Sequence, residues 1–261
     1  MWFTCGRADE RAQRVPTPLA TVWFMTAGGD DAVLQRLRVA RSRIDDAAVA
    51  AGRDPSEVRL LLATKTQPPQ RILAALSAGF TLIGENRVQE VVAKAPELAG
   101  VTHEMHFIGH LQANKINQLL DLISCLQTLD SAELARKLDT RLAARDRTLD
   151  VLLQVNVSGE ESKSGVRPEA VNELLDAAAR CPRLTVRGFM TIGLNSDDRA
   201  AVRAGYRVLR DLQLAAVADT PGATELSMGM SGDFAEAIAE GATIVRLGSA
   251  VFGPRPPLNS R

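Results

Sequence analysis

From Asp31 onward the chain alternates between two hydrophobic rhythms. Residues 31–51 place Val33, Leu37, Ala40, Ile44, Ala47 and Ala48 at helical spacing and stop at Gly52. Beyond them come short apolar runs bounded by turn residues, each followed by a helical stretch. The runs predict eight strands, at 58–64, 81–84, 104–109, 122–128, 150–157, 185–191, 225–229 and 243–248. Helices are predicted between them near 69–78, 87–95, 112–120, 131–145, 168–180, 197–218 and 233–239. Continuous apolar strands joined by helical crossovers specify a parallel sheet, and eight of them close an α/β fold into a single (β/α)8 TIM barrel without free edges. An open doubly wound sheet is the alternative, but it usually has fewer strands.

Residues 1–28 stand outside this rhythm and are read as a poorly ordered extension, with Met25 as an alternative start. Residues 29–261 then form one barrel domain with an extra N-terminal helix. The apolar stretch "VPTPLATVWFMTA" makes a poor signal peptide. Two prolines and three threonines interrupt it, Asp9 and Glu10 precede it, and no A-x-A-like cleavage site follows. No segment approaches the roughly 20 apolar residues of a membrane span.

Charge and cysteine content narrow the function classes. With 31 basic and 31 acidic side chains, the chain carries no overall footprint for nucleic acid or an anionic membrane. Cys5, Cys125 and Cys181 are odd in number and share no C-x-x-C spacing, so neither a disulfide framework nor a zinc site is implied. The expected compartment is the cytoplasm. Charged outer positions such as Arg136, Lys137, Asp139 and Arg141 favour a monomer.

Barrel chemistry gathers at the C-terminal ends of strands. Lys65 lies just past the end of the first predicted strand, in "LLLATKTQPPQ". A lysine there either snorkels to solvent or is held for chemistry. After the seventh strand, "SMGMSGDFAE" supplies Gly229, Gly232 and Ser231 before a helix in which Asp233 and Glu236 have capping-box spacing. It is either a well-capped turn or an anion cradle. Gly248 and Ser249 repeat the small-plus-hydroxyl pattern at the neighbouring strand end, where barrels bind phosphate. Arg246 sits within the eighth apolar strand and needs partners, an ion pair being the plain reading. Asn86 is either a helix N-cap or a site residue. His103, His106 and His110 lie close together, but an odd offset puts the first two on opposite faces of a strand, and no metal site is expected. His110 remains a pocket candidate.

Taken in order, "LLLATKTQP", "IGENRVQE", "HFIGHLQANK", "VNVSGEESKSGV", "GFMTIG" and "LSMGMSGDFAEAIAEGATIVRLGSAVFG" resemble the YggS/PROSC family of pyridoxal phosphate homeostasis proteins, over residues 37–254. The resemblance implies a barrel like the N-terminal domain of alanine racemase, binding pyridoxal 5′-phosphate (PLP) as an aldimine on the A-T-K-T lysine, Lys65. It implies phosphate on Ser231, Gly248 and Ser249, the pyridine nitrogen at Arg246, Asn86 near the ring, and Met230 and Gly232 within the cofactor-binding loop. Ser249 stands where many relatives carry Thr, which keeps the hydroxyl.

Elementary chemistry agrees with these roles. A lysine attacks an aldehyde only when unprotonated, and a desolvated barrel mouth favours that form. Arg246 is a donor only, so a ring nitrogen facing it must stay unprotonated, which weakens the ring as an electron sink. Racemase chemistry needs bases on both faces of the substrate carbon. Here Tyr206, the only tyrosine, is expected on the outer ring of helices, and no second domain supplies another. The expectation is therefore a carrier that buffers PLP and delivers it to apo enzymes, and not an enzyme. A racemase-like PLP enzyme is the alternative. A Schiff-base aldolase on sugar phosphates ranks third, because it gives Arg246 no ring nitrogen to meet.

Overall fold

The apolar runs form the eight strands they predict. The computed structural model describes residues 27–160 and 163–253, and in it the strands are β1 (Arg59–Ala63), β2 (Leu82–Glu85), β3 (Glu104–Phe107), β4 (Cys125–Leu129), β5 (Leu149–Gln154), β6 (Leu184–Met190), β7 (Glu225–Ser227) and β8 (Ile244–Leu247). They pair in chain order, all parallel, and β8 closes on β1. The chain is a (β/α)8 barrel.

Around it lie α1 (Ala27–Ala50), α2 (Pro69–Ser77), α3 (Val88–Leu98), α4 (Ile116–Leu119), α5 (Ala132–Ala143), α6 (Val171–Ala179), α7 (Arg199–Ala216), α8 (Phe234–Ala239) and α9 (Ser249–Phe252). Two predicted helices begin as 3₁₀ turns, Ala113–Lys115 and Pro168–Ala170, and α9 was not anticipated because a single turn carries no periodicity. Of the extension expected over residues 1–28, residues 1–26 lie outside the described residues, while residues 27–28 lie in the first turn of α1. The extra helix α1 buries Val33, Leu37, Ala40, Ile44 and Ala48 along one stripe and lies against α2, α8 and α9. Among the described residues no helix is long and apolar enough to cross a membrane.

Most of the strand length is buried on both faces, β6 exposing Thr185 and Arg187 at its start, which is why most strands read as continuous apolar runs. Leu60, Leu62, Ile83, Phe107, Val151 and Leu153 join the cluster shared with the helices. The alternate positions fill the interior in two separate apolar groups: Leu61, Leu82 and Ile244 with Ile108 against them, and Cys125, Leu152 and Met190. Buried His106, Gln127, Ser227 and Arg246 complete that interior. Lys65 follows β1 by two residues, at the C-terminal mouth of the barrel.

Candidate functional site

Lys65 sits on a turn that the surrounding charges hold rigid. Thr66 takes the left-handed conformation at φ 63°, unusual for a non-glycine residue, and its N–H donates to Glu90 Oε2 at 2.7 Å. On the other side Thr64 donates its hydroxyl to Glu85 Oε1 at 2.6 Å, while its carbonyl accepts from Lys94 Nζ at 3.0 Å. Lys94 also donates to Glu85 Oε1 at 2.6 Å and Glu90 Oε2 at 3.1 Å. Burial pushes the Glu85 carboxyl up; Glu90 is held below its usual value despite burial, by the Thr66 N–H and Lys94. The half-buried Lys65 is thereby flanked on both sides of the chain by fixed backbone. Lys163, which also follows a strand, in "ESKSG", and so is a second candidate anchor, donates to Glu160 Oε1 at 2.6 Å and the Gly193 carbonyl at 3.0 Å.

Arg246 is level with Leu61 across the β1–β8 pairing, below the mouth. It is 5% exposed. Nη1 donates to the Ser227 carbonyl at 2.7 Å and the Ser227 hydroxyl at 2.8 Å, and Nη2 donates to the Thr191 carbonyl at 2.7 Å. All three acceptors are neutral. The ion pair read as the plain alternative is absent among the described residues, and burial draws the guanidinium down to about 10 against the opposing influence of Tyr206 and Asp233.

The two glycine-serine loops lie beside each other at the ends of β7 and β8. The expected capping box is not formed: Asp233 places Oδ1 on the Met230 N–H at 2.6 Å and Oδ2 on the Tyr206 hydroxyl at 2.7 Å, so its carboxylate folds the loop instead of capping α8. Gly229, at φ 89°, is there for packing, since a Cβ would come within 2.5 Å of Ala237 Cβ. At Gly232 a Cβ would meet nothing within 4 Å, and its carbonyl is held by Arg199 Nη1 at 2.6 Å. Ser231 is half-exposed and Ser249 and Met230 are exposed. A Cβ on Gly248 would press on the Ala63 carbonyl at 3.2 Å, at the base of the Lys65 turn.

Tyr206 corrects the sequence reading. Its helix is on the outer ring, but the side chain points inward and is fully buried, with the hydroxyl close enough to Gly193 that any side chain there would collide with it. Burial, then Asp233, drives the phenol far above its ordinary value. The histidines separate. His106 is buried in the barrel, His103 bonds the Val101 carbonyl at 2.7 Å ahead of β3, and the exposed His110 faces Asp130 at 3.6 Å. The sequence reading overlooked Gln154, whose Oε1 is buried without a donor among the described residues, as is Asn86 Oδ1. A glutamine ending an otherwise apolar strand was the available signal.

Comparison with known proteins places this geometry. The model of the alanine racemase N-terminal domain matches residues 59–256. The pyridoxal phosphate homeostasis protein of Pseudomonas aeruginosa is 41% identical over 223 residues, covering 85% of this chain and 96% of the relative. The chain belongs to the pyridoxal phosphate homeostasis protein family. A crystal structure of an unknown protein from Bifidobacterium adolescentis superposes with TM-score 0.84 at 38% identity, covering 88% of this chain and 98% of that one. The family member PipY from Synechococcus elongatus, solved with PLP bound, superposes with TM-score 0.75 at 31% identity, covering 85% of this chain and all of that one (100%).

The residues present fit the family's cofactor. A buried guanidinium with only neutral partners has donors to spare for a ring nitrogen, and Asn86 Oδ1 and Gln154 Oε1 are acceptors awaiting a donor. The open side of Gly232 leaves room for a phosphate against the loop.

Proposed function

We propose that this protein binds PLP at the C-terminal mouth of the barrel and holds it for delivery to other proteins. Lys65 is the covalent anchor, Arg246 faces the ring nitrogen, and Asn86 lies near the ring. Ser231, Gly248 and Ser249 take the phosphate, with Met230 and Gly232 completing the loop. Bound PLP supplies an aldehyde that a neutral amine captures and a ring able to draw electrons from it. The carrying observation is Arg246: a guanidinium is seldom buried without a carboxylate unless another acceptor is to arrive. A Schiff-base aldolase offers no such acceptor.

The site's own residues favour holding over turnover. Arg246 keeps a facing nitrogen as acceptor, which restrains the ring's electron demand. Tyr206 is tied to Asp233 with its proton held tightly, so it cannot serve as a base near neutral pH. Residues 29–261 act as one domain, leaving the mouth open for exchange, with residues 27–28 joined to it as the start of α1. The described cysteines, Cys125 and Cys181, are free and buried, in keeping with a cytoplasmic protein, and charged outer helix faces suit a monomer.

The test is an absorbance spectrum of the purified protein with PLP, followed by borohydride trapping and peptide mapping. A visible band and a label on the Lys65 peptide are expected. A label on Lys163 overturns the assignment. Incubation with amino acids in deuterated water separates carrier from racemase, because rapid exchange of an α-hydrogen, near the roughly 10 per second of an ordinary enzyme, would reveal a competent base.

A further inference from the structure

Arg246 is the upper end of a buried polar column that crosses the barrel interior through four strands. Its Nη1 donates to Ser227 Oγ at 2.8 Å, Ser227 Oγ donates to Gln127 Oε1 at 2.7 Å, and Gln127 Nε2 meets His106 Nδ1 at 2.8 Å. His106 Nε2 then faces Glu104 Oε2 at 3.8 Å. The lower end opens on a cavity of about 110 Å³ whose charged lining is Arg59, Glu104, Asp150, Arg187 and Glu225. Ser227 and Gln127 are fully buried and His106 nearly so.

The direction of every bond follows from the first. A guanidinium has only protons to give, so the Ser227 oxygen accepts from it and must spend its own proton on Gln127. That orients the amide with its oxygen towards Ser227 and its nitrogen towards His106. Nδ1 must then be the bare nitrogen, and the imidazole proton sits on Nε2, on the Glu104 side. A reversed amide would give Ser227 two donors and strand its hydroxyl proton in a dry interior, so the column has one polarity.

We propose that Gln127 and His106 are positioning residues for the cofactor site, holding Arg246 through Ser227 in a single orientation. The column and two carbonyls occupy three of the five guanidinium protons, which leaves Nε–H and one Nη2–H to offer a ligand. An arginine gripped this way presents those donors without first losing rotational freedom. The inference rests on the cofactor reading for its purpose but not for its geometry.

Two measurements separate the two. In PLP-free protein, ¹⁵N spectra of the arginine side chains, with the Arg246 signals assigned by their loss in Arg246→Lys, should show slow guanidinium rotation. Gln127→Leu and His106→Phe should accelerate it several-fold. In the PLP-loaded protein the same variants should release cofactor about three- to tenfold faster, the effect of one neutral hydrogen bond. In an Arg246→Met background they should add nothing. Unchanged rotation in the variants overturns the proposal, as does a release effect that persists undiminished without Arg246. Altered rotation in a protein that retains no PLP upholds the column and removes the cofactor reading. If Gln127→Leu fails to fold, Ser227→Ala cuts the same column with a smaller loss of volume.

Discussion

Lys94, 6% exposed behind β2, is met by two carboxylates and a carbonyl, whereas Arg246, 5% exposed within β8, is met by two carbonyls and a hydroxyl. The two cations are almost equally removed from water, and each carries a desolvation penalty. Lys94 recovers that penalty within the protein, by neutralising Glu85 and Glu90 while it fixes the backbone on either side of Lys65. Arg246 recovers only part of it, through neutral acceptors. A buried charge with its counter-ions in place is complete within the protein; under the proposed function, one without them is left for the cofactor. The same contrast holds at Glu240, a buried carboxylate surrounded by Arg203, Arg207 and Arg210 that joins α7 to α8 and has no connection to the mouth.

Removing each cation should break this symmetry in a different way. Lys94→Met leaves two carboxylates without their partner and is expected to destabilise the PLP-free protein by about 3–5 kcal/mol, measured by urea unfolding. Adding Glu85→Gln and Glu90→Gln should restore most of it, and a loss below 1 kcal/mol would show the network to be ornamental. Arg246→Met should destabilise the PLP-free protein less than Lys94→Met does, since it leaves neutral acceptors and no counter-ion without a partner. Its retention of PLP should fall by about 1.5–3 kcal/mol, the worth of a hydrogen bond from a charged donor. A destabilised Arg246→Met protein with normal PLP retention would make the guanidinium a structural group.

Much of this arrangement was readable from the chain, and the exceptions share a cause. Parallel strands covered on both faces leave an unmistakable apolar run, so all eight appeared with their order, and Lys65, Arg246 and the two glycine-serine loops followed from strand ends. What escaped were contacts between residues distant in sequence. The spacing of Asp233 and Glu236 suggests a cap, yet the buried Tyr206 hydroxyl, brought from α7, claims the carboxylate. Tyr206 itself is set in a helix whose pattern alone does not reveal which polar group awaits its hydroxyl. Gln127 was visible as a polar residue in an apolar strand, but its partners on β3 and β7 depend on barrel closure.

The phosphate end of the proposed site offers a gentler contrast, between donors that are buried and donors that water can replace. Ser231 is half-exposed and Ser249 exposed, so each single change to Ala should weaken PLP by about 1.5 kcal/mol, the lower end for a hydrogen bond to a charged group. Retention of pyridoxal, which lacks the phosphate, should not move. Equal losses for both ligands would place the phosphate elsewhere.

The smallest effect lies at the opposite mouth, where charge is again paired within the protein. Contact with His106, and then Arg59 at 2.6 Å, holds Glu104 at about 2 in spite of partial burial. A carboxyl whose folded value lies below its unfolded one, near 4.5, contributes stability above that unfolded value and loses it as pH falls towards 2. Because the side chain is nearly half exposed, solvent screens the pairing, and the contribution should stay below about 1 kcal/mol. Urea unfolding at pH 6 and at successive steps down to pH 3 should therefore show a shallow acid limb that Glu104→Gln flattens. The PLP-free protein is the right sample, since no bound cofactor then adds its own titration to that of Glu85 and Glu90. If Glu104→Gln leaves the limb unchanged, the acid sensitivity belongs to other carboxylates, and the lower end of the barrel is less tightly paired than its geometry implies.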